Sequence, residues 1–223
     1  MPIADLTPDA RAELAWLENI YVSAGYAGPG HIVRQILPAG YPAYLRILPA
    51  FARTGDETDL RSWASLAERL GLEIHPETCH LTLARADVAT GPRQWTTESS
   101  RLRPREQRAL CGILAGVSGA SDVYFGYDVS ADAAGGIPHL VVAAPLDGLD
   151  ELRKRVDDEV GIESGPDYWM PRGHAWVVCS DHDLTSTYVA CGEEVARAIF
   201  AHPDLEALSV TPETRIDFGA DPS

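Results

Sequence analysis

The densest group of side chains that could perform chemistry is Asp181-His182-Asp183, in a polar segment between two apolar runs. Carboxylates and an imidazole together can bind a divalent metal. Neighbouring residues of a strand or turn point in different directions, however, so one such group rarely supplies every ligand. We therefore favour a polar hairpin turn. A metal-dependent hydrolase that uses these three residues with His174 stays as the alternative.

A second group, His75-Pro76-Glu77-Thr78-Cys79-His80, does not have the spacing of a known metal site. Two histidines five residues apart do not share a helix face, and no second Cys/His pair completes a zinc site. The chain also lacks a G-x-S-x-G elbow, a phosphate-binding loop and a dinucleotide fingerprint. We expect no metal and no cofactor, and the sequence identifies no catalytic residue.

An aromatic segment offers a different kind of candidate site, because Tyr168 and Trp169 lie shortly before Trp176. Aromatic side chains with a polar tip are common in ligand pockets and protein interfaces. Arg172 and His174 lie between them and could line the same pocket. The alternative is that Trp169 and Trp176 cap the core of the C-terminal half. With Asp181 and Asp183, these five residues are the candidate binding residues.

Charge is distributed unevenly along the 223 residues, whose formal net charge is −15. Residues 1–111 contain 12 basic and 13 acidic side chains, whereas residues 112–223 contain 6 and 20. The second half, with a net charge of −14, repels phosphate backbones and anionic headgroups, so we expect neither a nucleic acid nor a membrane partner. It would attract a basic protein, although acidity also serves solubility alone.

Basic residues concentrate at one place, where Arg101, Arg103, Arg105 and Arg108 surround the expected start of a helix. Positive charge there opposes the helix dipole. These arginines could pair with acidic residues or bind an anion. We favour pairing, because acidic residues are abundant.

The clearest structural pattern is the pair of apolar runs Ala175–Cys179 and Thr187–Cys191, which predicts a β-hairpin. A helical pattern and an apolar run, Leu205–Val210, follow. Earlier in the chain, helices are expected after Thr7, at Asp59–Leu70 and from Pro104 to about Gly116.

These patterns predict an α+β protein with a helical N-terminal half and a C-terminal half formed by a mostly antiparallel sheet with two packed helices. We expect one domain with two lobes, residues 1–118 and 119–211, followed by a tail at 212–223.

Several shorter segments carry separate expectations. His31–Leu37 and Asp122–Asp128 predict strands, Ile137–Ala144 predicts a central strand, and Gly161–Gly173 predicts a loop. A further helix is expected from about Leu149 to Val160.

The expected compartment is the cytoplasm. The N-terminus lacks the pattern of a secretion signal, and no apolar run approaches the roughly 20 residues that span a bilayer. The four cysteines form no C-x-x-C pair and are expected to be reduced. The alternative is a disulfide between Cys179 and Cys191, which lie on the two hairpin arms.

Several patches together resemble a family of uncharacterised proteins from high-G+C bacteria, in which a Trp-rich loop precedes an acidic hairpin and an "LEA" strand. The patches are Arg61-Ser62-Trp63-Ala64, His75-Pro76-Glu77, Tyr168-Trp169-Met170-Pro171, Ala175-Trp176, Asp183-Leu184-Thr185-Ser186-Thr187-Tyr188-Val189 and Leu205-Glu206-Ala207. Ala190-Cys191-Gly192 departs from the family pattern, which has two glycines there. The resemblance implies no catalytic residues. The order of elements and the acidity are also similar, at the level of the fold, to the SUKH superfamily of bacterial immunity proteins.

The function expected from the sequence is therefore that of a non-catalytic acidic protein that binds a basic protein partner, such as a toxin domain. Two alternatives remain: the metal-dependent hydrolase, and a small-ligand-binding protein that uses the aromatic segment.

Overall fold

The structure is a computed structural model that describes most of the chain. It describes residues 9–10, 12–13, 15–16, 31–92, 94–97, 102–118, 123–127, 140–161, 165–180, 184 and 186–216.

Ten strands and five longer helices lie within these described residues. The strands are β1 (Ala43–Ile47), β2 (Phe51–Arg53), β3 (Asp56–Arg61), β4 (Trp95–Thr96), β5 (Val123–Tyr127), β6 (Leu140–Ala144), β7 (Tyr168–Pro171), β8 (Val177–Cys179), β9 (Thr187–Cys191) and β10 (Ala207–Val210). The helices are α1 (Trp63–Leu70), α2 (His80–Ala89), α3 (Pro104–Ser118), α4 (Leu149–Val160) and α5 (Glu193–Ala201), and short 3-10 turns occupy Val33–Gln35 and Leu146–Gly148. Residues 9, 10, 12, 13, 15 and 16 are helical.

Seven strands form one antiparallel sheet in the order β10-β1-β9-β8-β7-β5-β6. Strand β1 lies between β9 and β10, so this sheet combines both halves of the chain. A second sheet, β3-β2-β4, lies entirely in the N-terminal half. The predicted α+β class is confirmed, but the prediction of a helical N-terminal half is wrong, because that half contributes four strands.

The large sheet is buried on both faces. Alternate residues of each strand point to opposite sides. Phe125 and Trp169 therefore join one core with helices α3, α4 and α5, whereas Tyr124 and Tyr168 join the other. Burial on both faces explains the continuous apolar runs of β5 and β9, whose residues are all buried.

A third core lies beneath the small sheet. Phe51 and Trp63 are fully buried there with ring centroids 5.3 Å apart, and the buried Trp95 belongs to the same cluster. Helix α1 begins where Ser62 caps it, through the Oγ that accepts a hydrogen bond from Ser65 N. The predicted helix over Asp59–Leu70 therefore begins later than expected, because β3 occupies Asp56–Arg61.

Several predicted elements are confirmed: β5, α4 and the hairpin of β8 and β9. Others are wrong. Residues 31–37 contain a 3-10 turn instead of a strand, and β6 lies at the sheet edge instead of its centre. Tyr168–Pro171 is a strand between β5 and β8, where the sequence predicted a loop. All four of its residues are buried, so its sequence lacks the alternation of polar and apolar residues that indicates a strand.

Cys179 and Cys191 lie in different cores, on opposite faces of the large sheet. None of the four cysteines is in a disulfide bond. No helix among the described residues is both long enough and apolar enough to cross a bilayer.

Asp87 joins the parts of the small-sheet region. Its carboxylate is 1% exposed and accepts hydrogen bonds from Gln94 N at 2.7 Å and Trp95 N at 3.1 Å. It also pairs with Arg69 at 2.7 Å. One buried carboxylate thus connects α1, α2 and β4.

We expect Asp87→Ala to lower the free energy of unfolding by about 3 kcal/mol, because it leaves Arg69 and two backbone donors without their acceptor. Urea denaturation monitored by circular dichroism measures the change. Asp59→Ala is the control: Asp59 is 40% exposed and 3.6 Å from Arg53, so its loss should change stability by less than about 0.5 kcal/mol. Equal effects would contradict the role assigned to Asp87.

Candidate functional site

The two indoles of the candidate site are buried. Trp169 is 3% exposed and Trp176 is 0% exposed, and both belong to the core that α3, α4 and α5 cover. Trp169 Nε1 donates a hydrogen bond to Pro166 O at 3.2 Å, and its ring meets Phe125 edge-on at 6.2 Å. Of the two explanations that the sequence allowed, the structure shows the core position.

Tyr168 is also fully buried, but on the opposite face of the sheet. Its hydroxyl donates a hydrogen bond to Ile36 O at 3.1 Å, which attaches the sheet to the turn at 33–35. The aromatic segment is therefore a buried strand, and its three rings do not line a common pocket.

Arg172 and His174 lie outside the core, in the connection between β7 and β8. Gly173 and His174 both have left-handed backbones, with φ of 86° and 54°. A positive φ is uncommon for a residue other than glycine. The His174 ring stacks on Trp16 with centroids 3.6 Å apart, and its Nε2 lies 2.5 Å from Glu13 Oε2.

These two side chains attach the N-terminal helical residues to the sheet. Arg172 pairs with Asp9 and donates a hydrogen bond to the Tyr124 hydroxyl at 3.0 Å. The two bonds raise the pKa of the Arg172 guanidinium. The Tyr41 hydroxyl donates to His174 O at 2.5 Å. These contacts give Arg172 and His174 a structural role.

The remaining candidates, Asp181 and Asp183, lie outside the described residues together with His182.

The second sequence group, His75 to His80, has structural contacts. Cys79 Sγ accepts a hydrogen bond from Leu81 N at 3.4 Å and so caps α2. Glu77 Oε1 accepts one from Arg215 N at 2.9 Å. The described residues contain no group of three His, Cys, Asp or Glu side chains placed to hold a metal ion.

Two thiols are unsuited to nucleophilic chemistry. Burial raises the pKa of Cys111 to about 12 and that of Cys191 to about 12. Only the thiolate is a strong nucleophile. Both groups therefore stay protonated at neutral pH and contribute packing instead.

Helix α4 presents the acidic surface. Leu149, Leu152 and Val156 face the core. The exposed acidic residues, which we call the acidic face, are Asp147, Asp150, Glu151, Asp157, Asp158 and Glu159. Lys154 and Arg155 are the exposed basic residues of the same helix. This outer surface therefore has a negative net charge.

A cleft of about 350 Å³ forms where four segments meet, and we call it the four-segment cleft. The segments are the β1–β2 connection, the β3–α1 junction, the start of α3 and the α5–β10 connection. Polar and apolar side chains line it together. The cleft lies where connections of the small sheet meet connections of the large one.

Glu206 and Glu106 place their carboxylates in this cleft. Glu206 accepts hydrogen bonds from Trp63 N at 2.6 Å and Ala64 N at 2.7 Å, so it caps α1. Glu106 accepts from Ala50 N and Arg103 N, each at 2.8 Å, at the start of α3. Burial raises the pKa of both, and the charge of Glu206 raises that of Glu106 further.

Three arginines line the same cleft. Arg103 donates to Glu57 at 2.8 Å and to Ala50 O at 2.9 Å, and Arg105 pairs with Asp204. The bond from Arg105 lowers the pKa of Asp204. Arg103 and Arg105 pair with acidic residues, as favoured from the sequence. The third is Arg61, which lies over Trp95.

Sequence reasoning missed the two glutamates. Glu106 lies three residues after Arg103, at the position where a glutamate bonds back to the first residue of a helix. That spacing could have identified it. Glu206 bonds to a helix 142 residues away, and no local pattern carries such information.

Searches with this chain match no protein-family model, no curated protein and no solved structure. The class of the protein is thus given by its structure alone: it is an α+β protein with two antiparallel sheets. Because no comparison tests them, the resemblances noted from the sequence stay predictions.

We expect the two cleft glutamates to make stability depend on pH. A carboxyl group whose pKa is higher in the folded than in the unfolded state binds its proton more tightly when folded. Lowering the pH from about 7 to about 5 should therefore increase the free energy of unfolding through Glu106 and Glu206. The variant Glu106→Gln/Glu206→Gln should gain less stability over this interval than the wild type.

Urea denaturation at both pH values measures the difference. The control Glu68→Gln/Glu73→Gln removes the same charge from exposed positions, and so corrects for the general repulsion among acidic residues. If both variants show the same pH dependence, the cleft carboxylates do not carry the effect.

Proposed function

We propose that this protein is a non-catalytic binding protein whose acidic face contacts a basic protein partner, in the manner of an immunity protein and a basic toxin domain. The uneven charge of the chain carries this proposal. Residues 112–223 hold a net charge of −14, and six exposed acidic side chains cluster on or beside α4.

The buried indoles change which surface is proposed. Trp169 and Trp176 are fully packed in the core, so they are not offered as contacts. Most of the acidic face lies on α4, a helix of 12 residues and about three turns that the core holds in place. Such a fixed array of like charges accelerates the encounter with a basic partner and orients it.

The charge of α4 also exceeds what its own ion pairs compensate. Arg155 lies 3.8 Å from Glu159, and both side chains are about half exposed. Arg153 points inward and donates to Gln107 at 3.0 Å. Asp150 accepts a hydrogen bond from Gln107 at 2.9 Å. Exposed pairs contribute little to stability, and the side chains of Glu151, Asp157 and Asp158 are exposed to an incoming partner.

The triple variant Glu151→Gln/Asp157→Asn/Asp158→Asn tests the proposal. We expect affinity purification from native lysate to recover at least one basic protein with the wild type. The triple variant should retain that protein about tenfold less, because several charge pairs are lost together. Raising the salt concentration from about 50 to about 300 mM should weaken retention by the wild type.

The matched control Glu68→Gln/Glu73→Gln/Glu213→Gln removes the same charge from exposed positions outside α4. It should retain the partner as the wild type does. Recovery of no basic protein, or equal losses in both variants, would reject the acidic face as the binding surface.

A further inference from the structure

Arg61 differs from the other two arginines of the four-segment cleft. Its guanidinium carbon lies 4.6 Å from the centre of the Trp95 ring. Its Nε atom is buried, and among the described residues nothing accepts a hydrogen bond from it. No carboxylate of the described chain pairs with Arg61. The cleft is therefore lined by a cation that no carboxylate of the described residues neutralises, and its buried Nε, left without an acceptor, costs free energy.

The position of Arg61 is fixed before any ligand arrives. The indole face of Trp95 attracts the guanidinium, and Trp95 itself is 3% exposed in the third core. A guanidinium presents its donors in a planar fork that matches the two oxygens of a carboxylate. Arg61 is thus prepared to bind an anionic group of that shape.

The same cleft also contains two carboxylates that a cation would stabilise. Each oxygen of Glu106 and of Glu206 accepts one backbone N–H, which leaves one lone pair per oxygen unused. The two groups repel each other: the charge of Glu206 raises the pKa of Glu106, while the charge of Arg103 lowers it. An ammonium group beside them would relieve that repulsion.

Charge alone restricts what the cleft accepts. Arg103 and Arg105 already pair with Glu57 and Asp204, so the charged groups left for a ligand are Arg61, Glu106 and Glu206. A purely anionic ligand would be repelled by the two glutamates, and a purely cationic one by Arg61. A ligand that carries both charges a short distance apart satisfies both groups. Leu48, Leu60 and Leu205 line the same space and suit an apolar side chain. A volume of about 350 Å³ lies in the range of small-molecule sites.

We propose that the four-segment cleft binds a small apolar α-amino acid, with its carboxylate on Arg61 and its ammonium group at Glu106 and Glu206. The site lies apart from the acidic face in sequence and does not depend on a protein partner. It is a binding site and involves no covalent step.

Isothermal titration calorimetry with L-leucine tests the inference on the full chain. We expect L-leucine to bind, with N-acetyl-L-leucine and L-leucinamide each at least about tenfold weaker, because each lacks one of the two charges. Glycine should bind more weakly than leucine, since it leaves the apolar wall uncovered. Absence of heat with leucine at about 10 mM, or equal binding of the derivatives, overturns the proposal.

A variant pair locates the site. Arg61→Gln should weaken leucine binding by about tenfold or more. Arg53→Gln is the control, because Arg53 lies in the same small sheet but pairs with Asp59 outside the cleft. Equal affinities in the two variants would place leucine elsewhere and reject the site. Should Arg61→Gln fail to fold, the wild-type comparison of leucine with its two derivatives still decides the question.

Discussion

The structure depends on one constraint: the large antiparallel sheet must bury both of its faces. Helices α3, α4 and α5 cover one face, and the turn at 33–35 with the N-terminal helical residues covers the other. Strand β1 pairs with β9 and β10 at the same time, so residues from opposite halves of the chain complete the sheet together. Neither half can bury its apolar surface without the other.

Buried and partly buried polar side chains then determine how the elements are joined. Glu206 caps α1, Glu106 bonds to the start of α3, and Asp87 connects α1 to β4. Arg46 is 1% exposed and donates to Ser186 and Pro76 O, each at 2.8 Å, above the ring of Trp63. Each of these groups is costly to bury unless its partners are in place. Such contacts therefore favour one arrangement of the two sheets over others.

Burial in the core also removes the aromatic residues of β7 and its neighbour Trp176 from the candidate binding residues. The Trp169 and Trp176 indoles, which the sequence offered as contacts, supply core volume. The two surfaces that we propose for recognition are charged: an acidic outer face on α4, and a cleft lined by Arg61 and two carboxylates. The first acts over long distance and is weakened by salt, whereas the second depends on short hydrogen bonds. We therefore propose a different kind of partner for each surface.

Local patterns in the sequence were sufficient for β5, α4 and the β8–β9 hairpin, because each has the periodicity or the apolar run of its element. The charge asymmetry was also visible. Tertiary structure alone decided the rest. Strand β7 is recognisable only between its neighbours β5 and β8, and the polar β3 only from its pairing with β2. The cleft unites Arg61, Glu106 and Glu206 across 145 residues, and such proximity follows from long-range packing that no local periodicity records.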